Sequence, residues 1–401
     1  MARTGAWRGV AAAMLGVLAS PAGAATIMLA PGGDAQQRIQ DALIEAQPGD
    51  VIMLAAGRYA FTDGLSLDVA RVTLRGAGPE ATILDFSGQL AGGEGLRVTA
   101  DDVVLRGFAV ENARGNGIKS KDADRIVYHD LRVEWTGGPK PENGAYGIYP
   151  VASRDVLIDR VTVKGASDAG IYVGQSRNVI VRRSTAMFNV AGIEVENCYN
   201  VDVHDNVAQH NAGGILVFDL PDLPQKGGHA VRVFANDASA NDTPNFAPKG
   251  NIVAAVPTGT GVIVMASRDV HVFANRLGDN ATANVMIIAY PRTFTDAGYD
   301  PLPRDVLVRD NVHGRAGWAP QLTGGRALAP AAGGPTFPVL WDGAGSGIVV
   351  RDSVATLSLG LAIPGTPIAQ AKPMPVAFPA GAVLPEPPAV VLPPTMEAMV
   401  R

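Results

Sequence analysis

Apolar and polar residues alternate in short runs along this chain, and glycine, asparagine and aspartate stand between the runs. Alternation with a period of two is typical of strands that bury one face. Six runs begin with a glycine followed by an apolar residue, at Gly117, Gly147, Gly170, Gly192, Gly214 and Gly261. The four in the middle begin 22 to 23 residues apart. Strands at a fixed interval predict a solenoid, a β-helix in which each coil buries its apolar face against the next coil.

A second series of strand patterns lies between the first, and each of its members is introduced by Asp or Asn. They begin at Asp102, Asp155, Asn178, Asn200, Asp269 and Asp305. These residue types tolerate the tight turns that separate the faces of a coil. The 22-residue spacing of Asn178 from Asn200, and of Asn189 from Asn211, predicts ladders of stacked turn side chains. Residues 122–145 and 220–260 break the period and are expected to leave the coil as loops, where function is often found.

The two ends of the solenoid have different patterns. Residues 34–47 place Ile39, Leu43 and Ile44 on one face, which predicts a short amphipathic helix that caps the first coil. From about Gly314 the strand pattern fades, and the prolines of residues 373–394 cannot supply a ladder. The sequence leaves the path of this tail open. We therefore divide the chain into a signal peptide (1–24), a β-helix (25–355) and a Pro-rich C-terminal tail (356–401).

The first residues predict export. Arg3 and Arg8 precede an apolar run over residues 10–18, and the small residues 22–24 form a cleavage site, the pattern of a secretory signal peptide. We expect a periplasmic or secreted protein. No later stretch has the roughly 18 uninterrupted apolar residues that a membrane span needs. We also expect a monomer.

Charge and cysteine content limit the partners and cofactors. The full chain carries a formal charge of −5, and without residues 1–24 it has 31 Lys and Arg against 38 Asp and Glu, or −7. This charge opposes nucleic acid, and it opposes other polyanions unless cations are concentrated locally. Cys198 is the only cysteine, so a disulfide within the chain is excluded. The six histidines lack compact ligand spacing, so no metal site is predicted; calcium, held by carboxylates and carbonyls, is left open.

The chain resembles the pectate-lyase-like superfamily of right-handed parallel β-helices. The resemblance rests on Pro48-Gly49-Asp50 after the helix, the strand at 51–54, Gly57-Arg58-Tyr59 and the coils that follow, over about residues 26–311. As a whole the chain is most similar to exported bacterial parallel β-helix repeat proteins without an assigned function. The expected fold is all-β, a single-stranded right-handed parallel β-helix with a short N-terminal capping helix. The resemblance implies polysaccharide lyases, hydrolases, C5-epimerases or non-catalytic relatives.

One segment also resembles a catalytic motif. Residues 146–151, Tyr-Gly-Ile-Tyr-Pro-Val, look like the Tyr-Gly-apolar-Asp-Pro-His segment of alginate C5-epimerases. Tyr149 stands where that family has Asp, and Val151 stands where it has His. Both departures fall on charged catalytic positions of the family.

Stacked coils turn the repeat into columns of side chains. The isoleucine after each glycine is expected to face inward. The next residue in each coil then faces outward and forms one column, which begins at Lys119, and the residue two positions further along forms a second column, which begins at Lys121. The outward columns carry lysines, then tyrosines, then glutamates, with the polarity of a sugar-binding cleft. The candidate catalytic residues are Lys119, Lys121, Tyr146 and Tyr149. The candidate substrate-binding residues are Tyr172, Asp168, Glu194 and Glu196.

Elimination or epimerisation of a uronate needs its carboxylate neutralised, a base at C5 and an acid. The lysines fit neutralisation or the base, the tyrosines fit proton transfer, Tyr172 fits stacking on a sugar, and the glutamates fit a cation or a hydroxyl. Paired carboxylates also permit glycoside hydrolysis. The loop from Trp135 to Asn143 is expected to wall the cleft. The predicted function is therefore binding, with lyase or epimerase-type processing, of an acidic polysaccharide.

Two other interpretations stay open. The outward Lys and Glu side chains also fit an ordinary solvated surface, and Asp168 also fits a turn. The departures from the epimerase motif favour a non-catalytic periplasmic scaffold, which would assist the assembly of another exported protein. Some β-helix relatives have such a role, and the present chain resembles them in architecture.

Overall fold

The computed structural model describes residues 23–322, 325, 337–379 and 381–400. The signal-peptide prediction for residues 1–24 therefore lies almost wholly outside the described residues. Regular structure in the described part is almost all β. Its first strands are β1 Thr26–Leu29, β2 Val51–Leu54, β3 Gly57–Ala60, β4 Leu65–Leu67, β5 Thr73–Arg75, β6 Thr82–Asp85, β7 Leu96–Val98, β8 Val104–Glu111, β9 Ile118–Lys121, β10 Ile126–Glu134, β11 Tyr146–Val151, β12 Arg154–Asp159, β13 Thr162–Lys164, β14 Ala169–Gly174, β15 Arg177–Arg182 and β16 Thr185–Met187.

The second half of the chain continues the series. Its strands are β17 Ala191–Glu196, β18 Tyr199–His204, β19 Val207–Gln209, β20 Gly213–Phe218, β21 His229–Phe234, β22 Thr260–Met265, β23 Arg268–Phe273, β24 Arg276–Leu277, β25 Ala283–Ile288, β26 Arg304–Arg309, β27 Val312–His313, β28 Val339–Trp341, β29 Ser346–Val350, β30 Thr356–Ser358 and β31 Met374–Val376. The helices are α1 Ala35–Glu45 and α2 Pro394–Ala398, with 3-10 turns at Val253–Ala255 and Ile368–Gln370.

The strands form two long walls. Sheet B has twelve strands, in the order β4, β7, β9, β11, β14, β17, β20, β22, β25, β28, β30 and β31. Sheet A has seventeen and supplies the remaining faces of the coils, while β24 and β27 form a short pair. Each coil therefore runs through a strand of sheet B and then through strands of sheet A. Among the described residues every strand pair is parallel except β30 with β31, which confirms the parallel β-helix.

The coil register agrees with the sequence repeat. Ile148 pairs with Ile171, Ile171 with Ile193 and Ile193 with Ile215, and all four side chains are fully buried. The loops at residues 220–228 and 242–259 flank β21, and after them Ile215 pairs with Val262, so the same register resumes. Stacking of these inward residues produces one continuous apolar core through the described coils.

The glycine that opens each repeat makes room for a buried asparagine ladder. Asn189 donates to Asn211 over 3.0 Å, and Asn211 donates to Asn241 over 3.2 Å, which confirms the predicted Asn189–Asn211 ladder. The Asn178–Asn200 ladder is also present, at 2.9 Å. A Cβ at Gly192 would lie 2.6 Å from the Gly214 carbonyl oxygen and 2.8 Å from Asn211 Nδ2. The repeated glycine is thus required by close packing between coils.

Helix α1 packs on β1, β3 and β4 at the N-terminal end of the solenoid, as expected of a cap. Ile39 and Leu43 are buried, but Ile44 is 61% exposed, so its predicted place on the buried face is wrong. A turn of about 100° per residue carries position 44 away from the line of 39 and 43. Asp34 occupies the N-cap position without a side-chain capping bond, because its carboxylate accepts from Arg38 Nε at 3.0 Å.

The C-terminal tail begins within the solenoid, because β30 extends sheet B and β31 pairs with β30; the prediction that residues 373–394 supply no ladder is therefore wrong at Met374–Val376. The rest of the tail lies along the solenoid. Residues 381–400, the C-terminal strap, cross the outer face of sheet A. The strap buries Val390, Leu392, Met396 and Val400 against a stripe formed by Val104, Val127, Leu157 and Ile180. Ion pairs fix the strap at both ends: Glu386 with Arg232 (3.0 Å) and Arg309 (2.6 Å), and Glu397 with Arg182 (2.8 Å). No helix among the described residues is long and apolar enough to cross a bilayer.

Candidate functional site

The outer face of sheet B carries the predicted columns in the predicted register. Lys119 pairs with Tyr149 across the coil boundary, and Tyr172 pairs with Glu194. The parallel column brings Lys121 beside Val151 and Gly174 beside Glu196. The candidate residues therefore share one wall, with one coil step of about 4.8 Å between neighbours.

The face differs from the expected open cleft, because the four candidate substrate-binding residues are buried. Tyr172, Asp168, Glu194 and Glu196 all lose nearly all contact with solvent, and Glu194 is only 1% exposed. The interpretation as a solvated surface is therefore wrong for the glutamates. The expectation that the substrate-binding residues stand open to solvent is also wrong.

The cover is the segment of residues 242–259, which leaves the coil after β21 and is called here the covering loop. Its residues Val253 and Val256 are buried in the same cluster as Tyr172, with Ile252 and Phe246 packed beside them. Beyond the glutamates both columns become apolar, through Leu216, Phe218, Ile263, Met265 and Met286. An apolar strip of this length is stabilised by burial, which explains why the insertion folds back over this wall. The alternation pattern identifies the wall but carries no signal for what covers it.

Three carboxyl groups, Asp168, Glu194 and Glu196, form the acid cluster under this loop. Asn251 of the covering loop donates to Asp168 Oδ2 over 3.0 Å, and the Tyr172 hydroxyl donates to Glu196 Oε1 over 2.6 Å. Neither carboxyl oxygen of Glu194 has a hydrogen-bond partner among the described residues. Sequence reasoning left Asp168 undecided between turn and groove, and it did not find Asn251.

Burial gives these carboxyl groups unusual proton affinity. Loss of solvent raises the pKa of Asp168 and of Glu196 to about 7 each, and the hydrogen bonds from Asn251 and Tyr172 oppose that rise. Burial raises the pKa of Glu194 well above its ordinary value, and the negative charges of Asp168 and Glu196 add to the effect. Close carboxyl groups of this kind share protons as one set. Glu194 therefore holds its proton more tightly than an ordinary carboxyl group, while its two neighbours are poised to exchange protons near pH 7.

Three tyrosines separate the acid cluster from the exposed end of the face. The ring centroids of Tyr146, Tyr149 and Tyr172 lie 4.5 to 4.9 Å apart. Burial is the main cause that raises the pKa of all three phenols, and nearby carboxylates raise it further. The phenols stay protonated over the physiological range, so they can donate a proton or a hydrogen bond.

The two lysines lie at the exposed end of the same columns. Lys119 Nζ is 4.8 Å from the centre of the Tyr149 ring and 3.5 Å from Glu94 Oε1. Lys121 is 61% exposed at its side chain and lies 3.8 Å from Asp122. Tyr149 and Tyr172 stand between Lys119 and Glu194 along their column, one residue per coil. The lysines therefore form a cationic mouth, and the acid cluster lies about three coils inside it.

More cations flank the face at the corner where sheet A begins. Arg154, Arg177 and Arg268 occupy the first position of β12, β15 and β23, and all three side chains are exposed. Their column is continuous through Tyr199 and His229, whose rings are in contact at a tilt of 37°. No carboxylate of the described residues is within ion-pair distance of these three arginines, although half-buried aspartates follow two of them in sequence, at 155 and 269. Cations are thus concentrated locally on an acidic protein.

The loop from Trp135 to Asn143 does not supply the cover. The Trp135 indole is buried and donates to the Ala113 carbonyl at 2.7 Å, and Asn143 Nδ2 donates to the carbonyls of Gly138 and Gly165. These bonds hold the loop against neighbouring coil turns. The described contacts to the acid cluster come from the covering loop instead.

Cys198 is buried beside this site and accessible to neither solvent nor ligand. Its thiol lies 3.3 Å from the carbonyl oxygens of Val173 and Glu196, and burial raises its pKa to about 12. Such a thiol is inert. In the described ranges, no group of three or more His, Cys, Asp and Glu side chains is arranged to hold a metal ion.

Comparison with known proteins supports the architecture. A family model described as right handed beta helix region matches residues 73–222. No curated protein matches the sequence. Among solved structures, the A-module of the Azotobacter vinelandii mannuronan C-5 epimerase AlgE4 is 15% identical, with a TM-score of 0.48, over 80% of this chain and 92% of that one.

Two further solved structures are similar. The alginate lyase from Paenibacillus sp. str. FPU-7 is 17% identical, with a TM-score of 0.36, over 73% of this chain and 97% of that one. DFA-IIIase from Arthrobacter chlorophenolicus A6, without its lid and in complex with GF2, is 12% identical, with a TM-score of 0.49, over 82% and 96%. At these values, any assignment of activity depends on the site itself.

Proposed function

We propose that this protein, a right-handed parallel β-helix, is exported to the periplasm or beyond and binds an acidic polysaccharide on the outer face of sheet B. The proposal includes lyase or C5-epimerase-type processing and a monomeric protein. The observation that supports this proposal most directly is the burial of Glu194. Its carboxyl group has no hydrogen-bond partner among the described residues and lies in the acid cluster with two other carboxyl groups. A buried polar group left unpaired is costly, and such groups occur where a ligand or a reaction uses them.

The residues divide the chemistry between them. Lys119 and Lys121 at the mouth, about three coils from the acid cluster, bind the carboxylates of neighbouring uronate units of the polymer, and the exposed arginines at the corner extend the cationic surface. The pKa of about 7 of Asp168 and Glu196 suits a base that removes the C5 proton. Tyr146 and Tyr149, protonated phenols, suit the acid. The proposed base is therefore a carboxylate of the acid cluster and not a lysine, which the sequence had also suggested.

Access to the acid cluster requires the covering loop to move. Among the described side chains, one hydrogen bond joins the loop to the cluster, from Asn251 to Asp168. The other contacts are apolar, through Val253 and Val256. Loop opening that precedes chemistry is common where a reaction is kept from water.

A non-catalytic scaffold is the second candidate. The closed cover over the acid cluster favours it, together with Tyr149 and Val151 at positions where the epimerase motif has charged residues. In that case the tyrosines and carboxyl groups would only hold the covering loop in place.

Replacement of Glu194 with Gln tests the catalytic role. We expect Glu194→Gln to keep binding of the polymer and to lose processing by about 100-fold or more, because the amide keeps the shape but cannot share protons with Asp168 and Glu196, the proposed base. Alginate, pectin and a glycosaminoglycan serve as substrates. Absorbance of the unsaturated product reports elimination, and NMR reports inversion at C5. If Glu194→Gln processed the polymer as fast as the natural protein, the acid cluster would have no part in the mechanism.

Replacement of Lys121 with Ala tests the binding face separately. We expect Lys121→Ala to weaken retardation in gels that contain the polymer, and Lys140→Ala, another exposed lysine in the loop at 135–143, to leave it unchanged. Absence of both retardation and product with every polymer would leave the scaffold as the function.

A further inference from the structure

A histidine is buried under the C-terminal strap without a hydrogen-bond partner. His271 lies on the outer face of sheet A, paired with Arg232 on one side and with Leu307 on the other. It is 0% exposed, and neither ring nitrogen is hydrogen-bonded among the described residues. The Pro385 carbonyl of the strap is close enough to favour a proton on the ring, but it does not reach hydrogen-bond geometry. Buried groups of this kind are rare and call for a physical reason.

The carboxylates around the ring are already paired with arginines. Arg232 extends from β21 and pairs with Asp202 of β18 at 2.6 Å. Arg309 extends from β26 and pairs with the exposed Asp310 at 2.7 Å, and Glu386 of the strap pairs with both arginines. A proton on His271 therefore adds a charge that has no carboxylate partner of its own, beside two arginines and closed to solvent, which is costly for the docked strap.

We propose that the C-terminal strap is a latch released by acid, in which protonation of His271 frees residues 381–400 from sheet A. Release uncovers the apolar stripe of Val104, Val127, Leu157 and Ile180. The inference is independent of the activity on the opposite wall, because it uses none of the residues of sheet B.

The direction of the effect follows from the proton balance. Burial, followed by the charge of Arg309, lowers the pKa of His271 below its ordinary value in the docked state, and Glu386 opposes this. In the released strap the ring is in water, with a pKa of about 6.5. The docked state therefore binds fewer protons, so docking is at full strength above about pH 6.5 and weakens as the pH falls.

Hydrogen exchange measured by mass spectrometry on the full chain tests the latch. After correction for the intrinsic rate, we expect protection of residues 383–400 to fall between pH 7.5 and pH 5.5, by up to about tenfold per pH unit, the limit for one proton. His271→Phe and His271→Gln cannot titrate, so their straps should keep the same protection at both values. His210→Gln replaces a histidine away from the strap, is the matched control and should respond like the natural chain.

Two results would overturn the latch. One is equal protection of the natural strap at both pH values. The other is a fall in protection that persists unchanged in either folded His271 variant. Because both variants are uncharged but differ in size and polarity, failure of one to fold leaves the other as the test. Loss of polysaccharide processing would not bear on this result.

Discussion

At the scale of single residues, the glycine of each repeat is fixed by what packs against it. Gly192 lies between the Gly214 carbonyl and the Asn211 amide, where a methyl group has no space. We expect Gly192→Ala to lower the free energy of unfolding by about 1–3 kcal/mol, measured by urea denaturation. Gly92, with no atom within 4 Å of an added Cβ, is the control, and Gly92→Ala should change stability by less than about 0.5 kcal/mol. Equal losses in the two variants would contradict the packing argument.

Residue by residue, the repeat predicted which face of the strand each side chain is on, but it did not predict whether an outward side chain is exposed to solvent. Ile118, Ile148 and Ile171 are buried as expected, since a period of two leaves only two choices for each side chain. Glu194 faces outward as predicted but is buried, because a segment distant in sequence covers it. No local pattern contains that information. The raised pKa values of the acid cluster were equally out of reach, because they arise from this burial.

At the scale of elements, the covering loop is coupled to protons. In the closed state the pKa of Asp168 and Glu196 is about 7, above the ordinary values of 3.8 and 4.5. Groups whose pKa is raised stabilise the closed form fully below their ordinary pKa, and this contribution is lost as the pH rises through about 7. The covering loop should therefore open more readily at pH 8 than at pH 5.

Hydrogen exchange over residues 246–256 measures this opening. We expect protection to fall as the pH rises from 5 to 8, after correction for the intrinsic rate. Asp168→Asn removes one titrating group, so its pH dependence should be smaller. The loop at 135–143 makes no described contact with the acid cluster and serves as the internal control. Protection that is independent of pH in the natural chain would show that the carboxyl groups do not govern the loop.

Elements were predicted to different degrees. The capping helix and the strand series follow from spacing, and the structure has both. The prediction that residues 122–145 and 220–260 leave the coil as loops is wrong in part, because each range contains a strand of sheet A, β10 and β21. The prediction placed the loop at 135–143 beside the site but did not find that residues 242–259 cover it. The covering loop carries apolar residues such as Ile252, Val253 and Val256, which in retrospect are the signal that it packs against something.

At the scale of the whole molecule, the strap joins coils that are far apart in sequence. It reaches from Arg309 to Arg106, whose guanidinium donates to the Met399 carbonyl at 2.9 Å. A chain that ends at residue 380 should keep its strands, because the strap adds no strand to either sheet. It should lose thermal stability by about 5 °C and bind a hydrophobic dye through the uncovered stripe. Circular dichroism and dye fluorescence would measure both, and an unchanged melting temperature would show that the strap contributes no stability.

The insertions have a consequence for how such a molecule can change. Ile215 and Val262 are neighbours in the sheet although 47 residues separate them, and the ladder on either side is unaltered. Material added at a corner thus leaves the pitch of the spiral intact. New loops and surfaces can be gained or lost at such corners, in evolution or in the laboratory, while the stack of coils that carries them keeps its dimensions.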